Sequence, residues 1–259
     1  MSLDGARVWV TGASSGIGEA LVAALVRRGA RVAVTARRTE LLTALAAKHA
    51  GGRAPVLVAP ADVTDALAVT AAAKDVESAW GGIDLAIFNA GGSVGPPPRE
   101  TRDPRFVAAE YTATMALNYF SVVYGIEAVL PGMLERGNGR IAAVASLGGF
   151  RPTTVGLPYS ASKAAVIHLM EGLRMQVAPR GVAVTVVNPG FVRTPLTARN
   201  SFKMPFLVEV DDAADRIVRG LERGKDEIVF PAPLAWAITL LGLLPNRLYA
   251  RIMRELAPK

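Results

Sequence analysis

A chain of 259 residues, half of them apolar and a fifth charged, has the make-up of an ordered globular protein with a substantial core. It has no cysteine and only two histidines, His49 and His168. That excludes disulfides and thiol chemistry, and argues against a metal site or a Ser-His-Asp triad. Lysines and arginines (29) outnumber acids (22) for a net charge of +7, but no basic run is interleaved with aromatics, so no nucleic-acid partner is expected.

The N-terminal MSLDGARVWVTG enters a strand without a charged-then-apolar leader, so a cytoplasmic protein is the default expectation. Residues 7–11, RVWVT, read as a short apolar strand running into a glycine turn, and EALVAALVRRG follows with a helical period stopped by Gly29. Strand and helix then alternate: ARVAVTAR (30–37), TELLTALAAKHAGG (39–52), APVLVAPADV (54–63), DALAVTAAAKDVESAWGG (65–82) and IDLAIFNAGG (83–92). A Pro-rich loop is expected over 95–104 and one long helix from about 106 to 136. A fifth strand (139–149), a helix (159–181) and a sixth strand (182–190) follow. A loop and helix (193–224), a short strand EIVFP and an apolar, basic tail complete the chain. The longest apolar run, 231–245, is shorter than the roughly 20 residues a membrane-spanning helix takes. Apolar strands alternating with helices predict an α/β, single-domain fold over 1–259. It is a doubly wound parallel sheet of Rossmann type, with helices on both faces and a tail from about residue 232.

Between the first strand and helix stands T-G-A-S-S-G-I-G, residues 11–18. Gly12, Gly16 and Gly18 permit a tight turn and let the backbone approach a pyrophosphate on the helix N-terminus. At the end of the second strand, where an NAD-preferring fold usually carries an acid for the ribose, the chain has Arg37 and Arg38. Guanidinium groups there would pair with a 2′-phosphate, so NADP(H) is expected over NAD(H).

With these features the sequence resembles the short-chain dehydrogenase/reductase family over almost its whole length. The motifs that carry the resemblance occur in order: Thr11–Gly18, Asn89-Ala90-Gly91, Asn118 on the long helix, Ser146, Tyr159-x-x-x-Lys163 and Pro189-Gly190, followed by Thr194. The resemblance implies a catalytic set of Asn118, Ser146, Tyr159 and Lys163. It implies a cofactor site from Gly12, Ser14, Ser15, Gly16, Ile17, Gly18, Arg37, Arg38, Asp62, Val63, Asn89, Ala90 and Gly91. Tyr159, Lys163, Pro189, Gly190, Val192 and Thr194 complete that site. In it Asp62 stands near the adenine, Asn89 holds the sheet beside the cofactor and Thr194 meets the carboxamide. One departure is Ser15, where some NADPH-preferring members carry a cation.

Lys163 follows Tyr159 by one helical turn on the same face, and its ammonium, together with the oxidised nicotinamide ring, is expected to depress the phenol pKa for proton exchange. Ser146, at the end of the fifth strand, would hydrogen-bond the substrate oxygen, and Asn118 would support a water chain from Lys163. Gly148, Phe150 and Phe191 join Ser146 and Tyr159 as expected substrate contacts. The flanking segments are apolar (Leu147, Phe150, Leu157, Phe191, Val192, Leu196, Phe202, Met204, Phe206). Only Arg151, Arg193, Arg199 and Lys203 there could grip an acid, so a hydrophobic carbonyl or alcohol is the expected substrate. In the tail, Leu248, Tyr249, Ile252, Met253 and Leu256 share one helical face, with Arg247, Arg251, Arg254 and Lys259 around it. A lid, a subunit contact and a peripheral membrane contact all fit that pattern. Within the family a 3-oxoacyl carrier-protein reductase, a membrane-surface reductase of 3-ketodihydrosphingosine type and a non-catalytic NADP(H)-binding regulator stay open as alternatives. GLPYSASK lacks the Gln and Asn typical of the first. Family membership also implies a homo-oligomer built on the two long helices.

Overall fold

The structure is a computed structural model that describes residues 1–52, 54–95, 106–152, 156–200 and 202–255. The expected Pro-rich loop lies outside the described residues apart from Gly95, as do Leu256 and Lys259 of the tail. Seven parallel strands form one sheet in the order β3-β2-β1-β4-β5-β6-β7. They are β1 Arg7–Thr11, β2 Arg31–Thr35, β3 Leu57–Val58, β4 Leu85–Phe88, β5 Gly139–Val144, β6 Val182–Pro189 and β7 Glu227–Phe230. Helices α1 Gly16–Arg27, α2 Thr39–Lys48 and α7 Val210–Glu222 cover one face. The other is covered by α3 Ala66–Trp80, α4 Ala108–Met115, α5 Ser121–Arg136 and α6 Leu157–Val177. Two short helices, α8 Ala232–Gly242 and α9 Asn246–Glu255, follow β7. Strand order reverses between β1 and β4, and in such sheets the crevice above that reversal is where ligands bind.

Both faces of the sheet are packed, so successive residues of a strand enter opposite cores. Val8 and Val10 join Val32, Val34, Leu85 and Ile87 on one side, while Trp9 joins Ala33, Ala86 and Phe88 on the other. The buried Trp9 ring meets Phe88 edge-on, 6.0 Å between centroids. Its Nε1–H donates to Thr35 Oγ1 at 2.8 Å, and that hydroxyl donates to the Ala59 carbonyl at 2.7 Å, so no polar atom of the trio is stranded.

Two elements differ from the sequence reading. The third strand, expected over 54–63, holds only Leu57 and Val58 in the ladder. Pro55 precedes it and lacks the N–H that an earlier rung needs, whereas beyond Val58 the N–H groups of Ala59 and Ala61 still donate to the Val34 and Ala36 carbonyls at 3.0 and 3.3 Å. The long helix does run from Ala108 to Arg136, but Ala116–Phe120 form a π-helical turn within it. That extra residue per turn places Asn118 inward, fully buried. By length and composition Ala108–Arg136 could cross a bilayer. Its packing is that of a core helix: Val122, Ile126, Val129 and Met133 are buried, and a Cβ at Gly125 would run into the Phe88 ring.

Candidate active site

The turn after β1 is built by close approach. Gly12 (φ +68°) and Gly16 (φ +60°) are left-handed, which a side chain would strain. A Cβ on Gly12 would stand 2.6 Å from Ala90 Cα, and one on Gly18 would overlap the Gly12 carbonyl oxygen. Asn89 ties this turn down: its Nδ2 donates to the carbonyls of Thr11 and Gly12, both at 3.2 Å, and its N–H donates to Thr11 Oγ1. Above the turn opens a cleft of about 300 Å³, lined among others by Gly12, Ser14, Ser15, Gly16 and Ile17. An extended phosphate-bearing ligand fits a floor of this kind, because it lies at the N-terminus of α1, whose first N–H groups have no partner within the helix.

The end of β2 contributes both expected arginines to the cleft, in different ways. Arg38 donates to Ser14 Oγ at 2.8 Å and reaches Ser15 Oγ at 3.5 Å, bracing the glycine turn. Arg37, exposed like Arg38, faces Asp62 at 3.9 Å. Burial pushes the Asp62 carboxyl up, but hydrogen bonds from the Thr64 N–H and hydroxyl, with Arg37, outweigh it and hold the group below its usual value. Asp62 itself sits outside the lining, which its neighbours Ala61 and Val63 supply.

At the other end of the cleft, β5 delivers Ser146 and α6 delivers Tyr159 and Lys163. Ser146 Oγ accepts from the Gly148 N–H at 3.0 Å, lies 3.4 Å from the Pro189 carbonyl and shares a hydrogen bond with Tyr159. Lys163 is buried; its Nζ donates to the Val144 carbonyl at 2.7 Å and stands 5.7 Å from the Tyr159 ring centre. Burial brings its pKa down to about 8. The same burial pushes the Tyr159 phenol up, and the Ser146 hydrogen bond recovers only part of the shift. Desolvation thus outweighs the help of Ser146 at the phenol.

Asn118 is behind the cleft rather than in it. Its Oδ1 accepts from the Gly92 N–H at 2.7 Å, while Nδ2 donates to the Gly92 carbonyl at 2.9 Å and to Ser162 Oγ at 2.8 Å. Gly91 lies between the two polar groups: a Cβ there would meet Asn118 Oδ1 at 2.8 Å and Lys163 Nζ at 3.0 Å. Through these bonds Asn118 ties the Gly92 backbone to Ser162 of α6 in the wall beside Lys163.

Ala90, Gly91, Pro189, Gly190, Val192 and Thr194 line the cleft as expected, whereas Gly18, Phe150 and Phe191 do not. Gly18 lies beneath the turn, Phe150 is half-buried, and Phe191 packs edge-on against Phe202 with ring centres 6.0 Å apart. Gly148 stays at the site, since a Cβ on it would come within 3.4 Å of Ser146 Oγ. Of the flanking apolar residues, Leu147 and Val192 are buried core while Leu196 faces the cleft. Three of the cations expected to be able to hold an acid are engaged: Arg193 with Glu209, Arg199 with the Gly95 carbonyl and Arg151 with Asn246.

Sequence reasoning missed Ala36, Ala61, Leu117, Val144, Ala145, Pro195 and Thr197 among the lining residues. Thr197 had a readable signal: a threonine three residues after Thr194 in a turn-rich segment. Its hydroxyl donates to the Val192 carbonyl at 2.6 Å and shapes the loop that carries Thr194. The tail also differs from expectation. Tyr249 is buried and Ile252 and Met253 half-buried, so α9 turns its apolar face inward; the exposed apolar residues are Trp236, Leu240 and Leu243, with Leu248. Among the described residues, no group of three acids or histidines could hold a metal.

Residues 6–204 match the short chain dehydrogenase family. The chain belongs to that family. It is 39% identical over 247 residues to an uncharacterized oxidoreductase of Myxococcus xanthus (strain DK1622), covering 95% of this chain and 96% of the relative. Among solved structures, a short chain dehydrogenase from Burkholderia cenocepacia J2315 in complex with NADP has a TM-score of 0.80 at 32% identity, over 97% of this chain and 98% of that one. A short chain dehydrogenase/reductase from Burkholderia phymatum in complex with NAD shares the fold at a TM-score of 0.82 and 21% identity, over 93% and 94%. An oxidoreductase with a dinucleotide-binding sheet is therefore the coarse description of this protein, and the family pairs a nucleotide cofactor with a small-molecule substrate.

Proposed function

We propose that the chain, acting as one unit over 1–259, reduces the ketone, or oxidises the secondary alcohol, of a hydrophobic small molecule with NADP(H) in preference to NAD(H). One observation carries this reading: the Ser146–Tyr159 pair and buried Lys163 open on the cleft whose far end is the glycine turn flanked by Arg37 and Arg38. The bound nicotinamide would supply or accept the hydride. Ser146 would hold the substrate oxygen, leaving Tyr159 to exchange a proton with it. A phenol kept protonated by burial suits the reductive direction, in which it donates. Lys163, with a pKa of about 8, can shed and regain a proton close to neutral pH. Arg37 and Arg38 would take the 2′-phosphate, with the Ser14 and Ser15 hydroxyls beside them. Cytoplasmic residence and a homo-oligomer using the long helices, where Phe120 and Met175 are exposed, belong to the same proposal.

The test is NADPH consumption with a panel of apolar ketones. Tyr159→Phe should lower turnover by about 1,000-fold or more while NADPH titration stays within about twofold. Near-normal turnover in that variant would refute the role of Tyr159. A second reading, reduction of a long-chain lipid ketone at a membrane surface, is favoured by Trp236, Leu240 and Leu243, exposed on α8 beside the arginines of α9. Co-sedimentation with anionic vesicles that vanishes on removal of residues 232–259 would support it, and no sedimentation would dismiss it.

A further inference from the structure

Ser146 opens onto a soft stretch of chain. Leu147–Gly149 form a single 3-10 turn in which Gly149 and Phe150 return their N–H groups to the Ser146 and Leu147 carbonyls, at 2.9 and 3.1 Å. Two glycines in succession give such a turn wide backbone freedom, so its geometry has to be imposed from outside. Helix α6 imposes it. Ser160, buried at 5% exposure, donates from its Oγ to the Gly148 carbonyl at 2.7 Å. Gly149 lies against the same helix, where a Cβ would stand 2.8 Å from the Lys163 carbonyl carbon and 2.9 Å from the Ala164 nitrogen.

Gly148 is bonded on both sides of its Cα, which couples the two bonds. Its carbonyl is held by Ser160, while its N–H donates to Ser146 Oγ at 3.0 Å. With that N–H donating to it, Ser146 Oγ turns its own hydrogen away from Gly148 and toward the Tyr159 phenol, the Pro189 carbonyl at 3.4 Å being a longer alternative. The Ser146 bond pulls the phenol pKa down, as a donor to the phenol oxygen does. We infer that Ser160 is a positioning residue for catalysis: by fixing Gly148 it aims the Ser146 hydroxyl at the phenol and at the substrate oxygen that is to meet it. This rests on the reductase reading above. The helix that carries Tyr159 and Lys163 thus also sets the serine facing them, through the residue next to the tyrosine. Ser162 cannot stand in for Ser160, because its hydroxyl accepts from Asn118 Nδ2 at 2.8 Å and donates to the Tyr159 carbonyl at 2.7 Å.

The experiment measures NADPH-dependent reduction of an apolar ketone by full-length wild type, Ser160→Ala and Ser160→Cys. Alanine favours a helix more than serine does, so α6 stays formed. For Ser160→Ala, kcat should fall about 10- to 30-fold, with ketone KM and NADPH binding within about twofold. Ser160→Cys keeps nearly the same size but offers only a weak S–H donor, so its kcat should lie within about threefold of the alanine variant's. In the oxidative direction, with NADP+ and the secondary alcohol, the rising limb of kcat/KM should move up by about half a pH unit in Ser160→Ala, because the phenolate loses an aligned donor. Wild-type kcat in the cysteine variant, NADPH affinity falling in step with kcat, or an unmoved pH limb would overturn the inference. If wild type turns over neither ketone nor alcohol, the reductase reading fails. The positioning is then read without turnover from the NMR resonance of the Tyr159 Cζ in isotope-labelled protein, assigned by its loss in Tyr159→Phe. Ser160→Ala should shift that resonance in the same direction as Ser146→Ala does, and an unshifted resonance refutes the role of Ser160.

Discussion

The two ends of the cleft are built from opposite materials. The β1–α1 end is backbone: left-handed glycines, amide groups and a helix start, with arginines at its exposed margin. The β5–α6 end is side chain: a hydroxyl, a phenol and a buried ammonium, each with its own hydrogen-bond partner. The first end is damaged by adding atoms, the second by removing them. What looks like one cleft is thus under two separate structural constraints, and substitutions at its two ends should fail in different ways.

The sharpest break would come at the glycine end. Gly18→Ala places a methyl against the Gly12 carbonyl and 2.6 Å from Asn89 Nδ2. Cofactor binding should weaken by about 100-fold or more while the Tyr159 region keeps its fold, a contrast visible by titrating NADPH alongside circular dichroism. An alanine variant that binds normally would show that the turn has slack the geometry denies.

Next in size, the two arginines separate by role. Arg37→Ala should weaken NADPH by about tenfold and leave NADH within about twofold. Arg38→Ala should weaken both cofactors, NADPH more, because it also releases Ser14 and Ser15 from their brace. Identical losses for the two cofactors in both variants would remove the 2′-phosphate assignment.

A further effect has the opposite sign and belongs to the side-chain end. Lys163 has a folded-state pKa of about 8 against 10.5 ordinarily. Below pH 8 it is charged in both folded and unfolded chains, and burial exacts its full cost. Between pH 8 and 10.5 the native chain sheds the proton first, so stability climbs with pH by about 3 kcal/mol from this group. Lys163→Met should flatten that climb. It should also stabilise the protein at pH 7 by roughly 1–2 kcal/mol, after the Val144 carbonyl loses its donor. Urea titrations across that pH range would show it, and a destabilised, still pH-dependent variant would contradict it.

Much of this was legible before any coordinates. Strand–helix alternation and the glycines after β1 gave the fold class, because they encode burial period and backbone freedom directly. Ser146, Tyr159 and Lys163 were named by the family resemblance, and the fold brings all three to one end of the cleft. The length of β3 was not legible, although Pro55 carried part of the signal. Asn118 was legible as a residue but not in its bonding, since a π-helical turn leaves almost no trace in periodicity. The contact of Arg151 with the Tyr249 ring joins residues 98 positions apart, and no local pattern reports such a meeting. The push of burial on the Tyr159 phenol was hidden for a related reason: spacing names a charged neighbour but says nothing about how much water is missing.

Thr35 has a reach its position in the sheet conceals. Its hydroxyl sits between Trp9 and the Ala59 carbonyl, so the two-residue edge strand β3 hangs on the sheet by a side chain as well as by its short ladder. Three residues beyond Ala59 comes Asp62, which faces Arg37. The margin that would discriminate between cofactors is therefore suspended from a bracket in the core, mechanically apart from the helix that carries Tyr159 and Lys163. A lineage could re-tailor that margin by adjusting the bracket and leave the chemistry untouched.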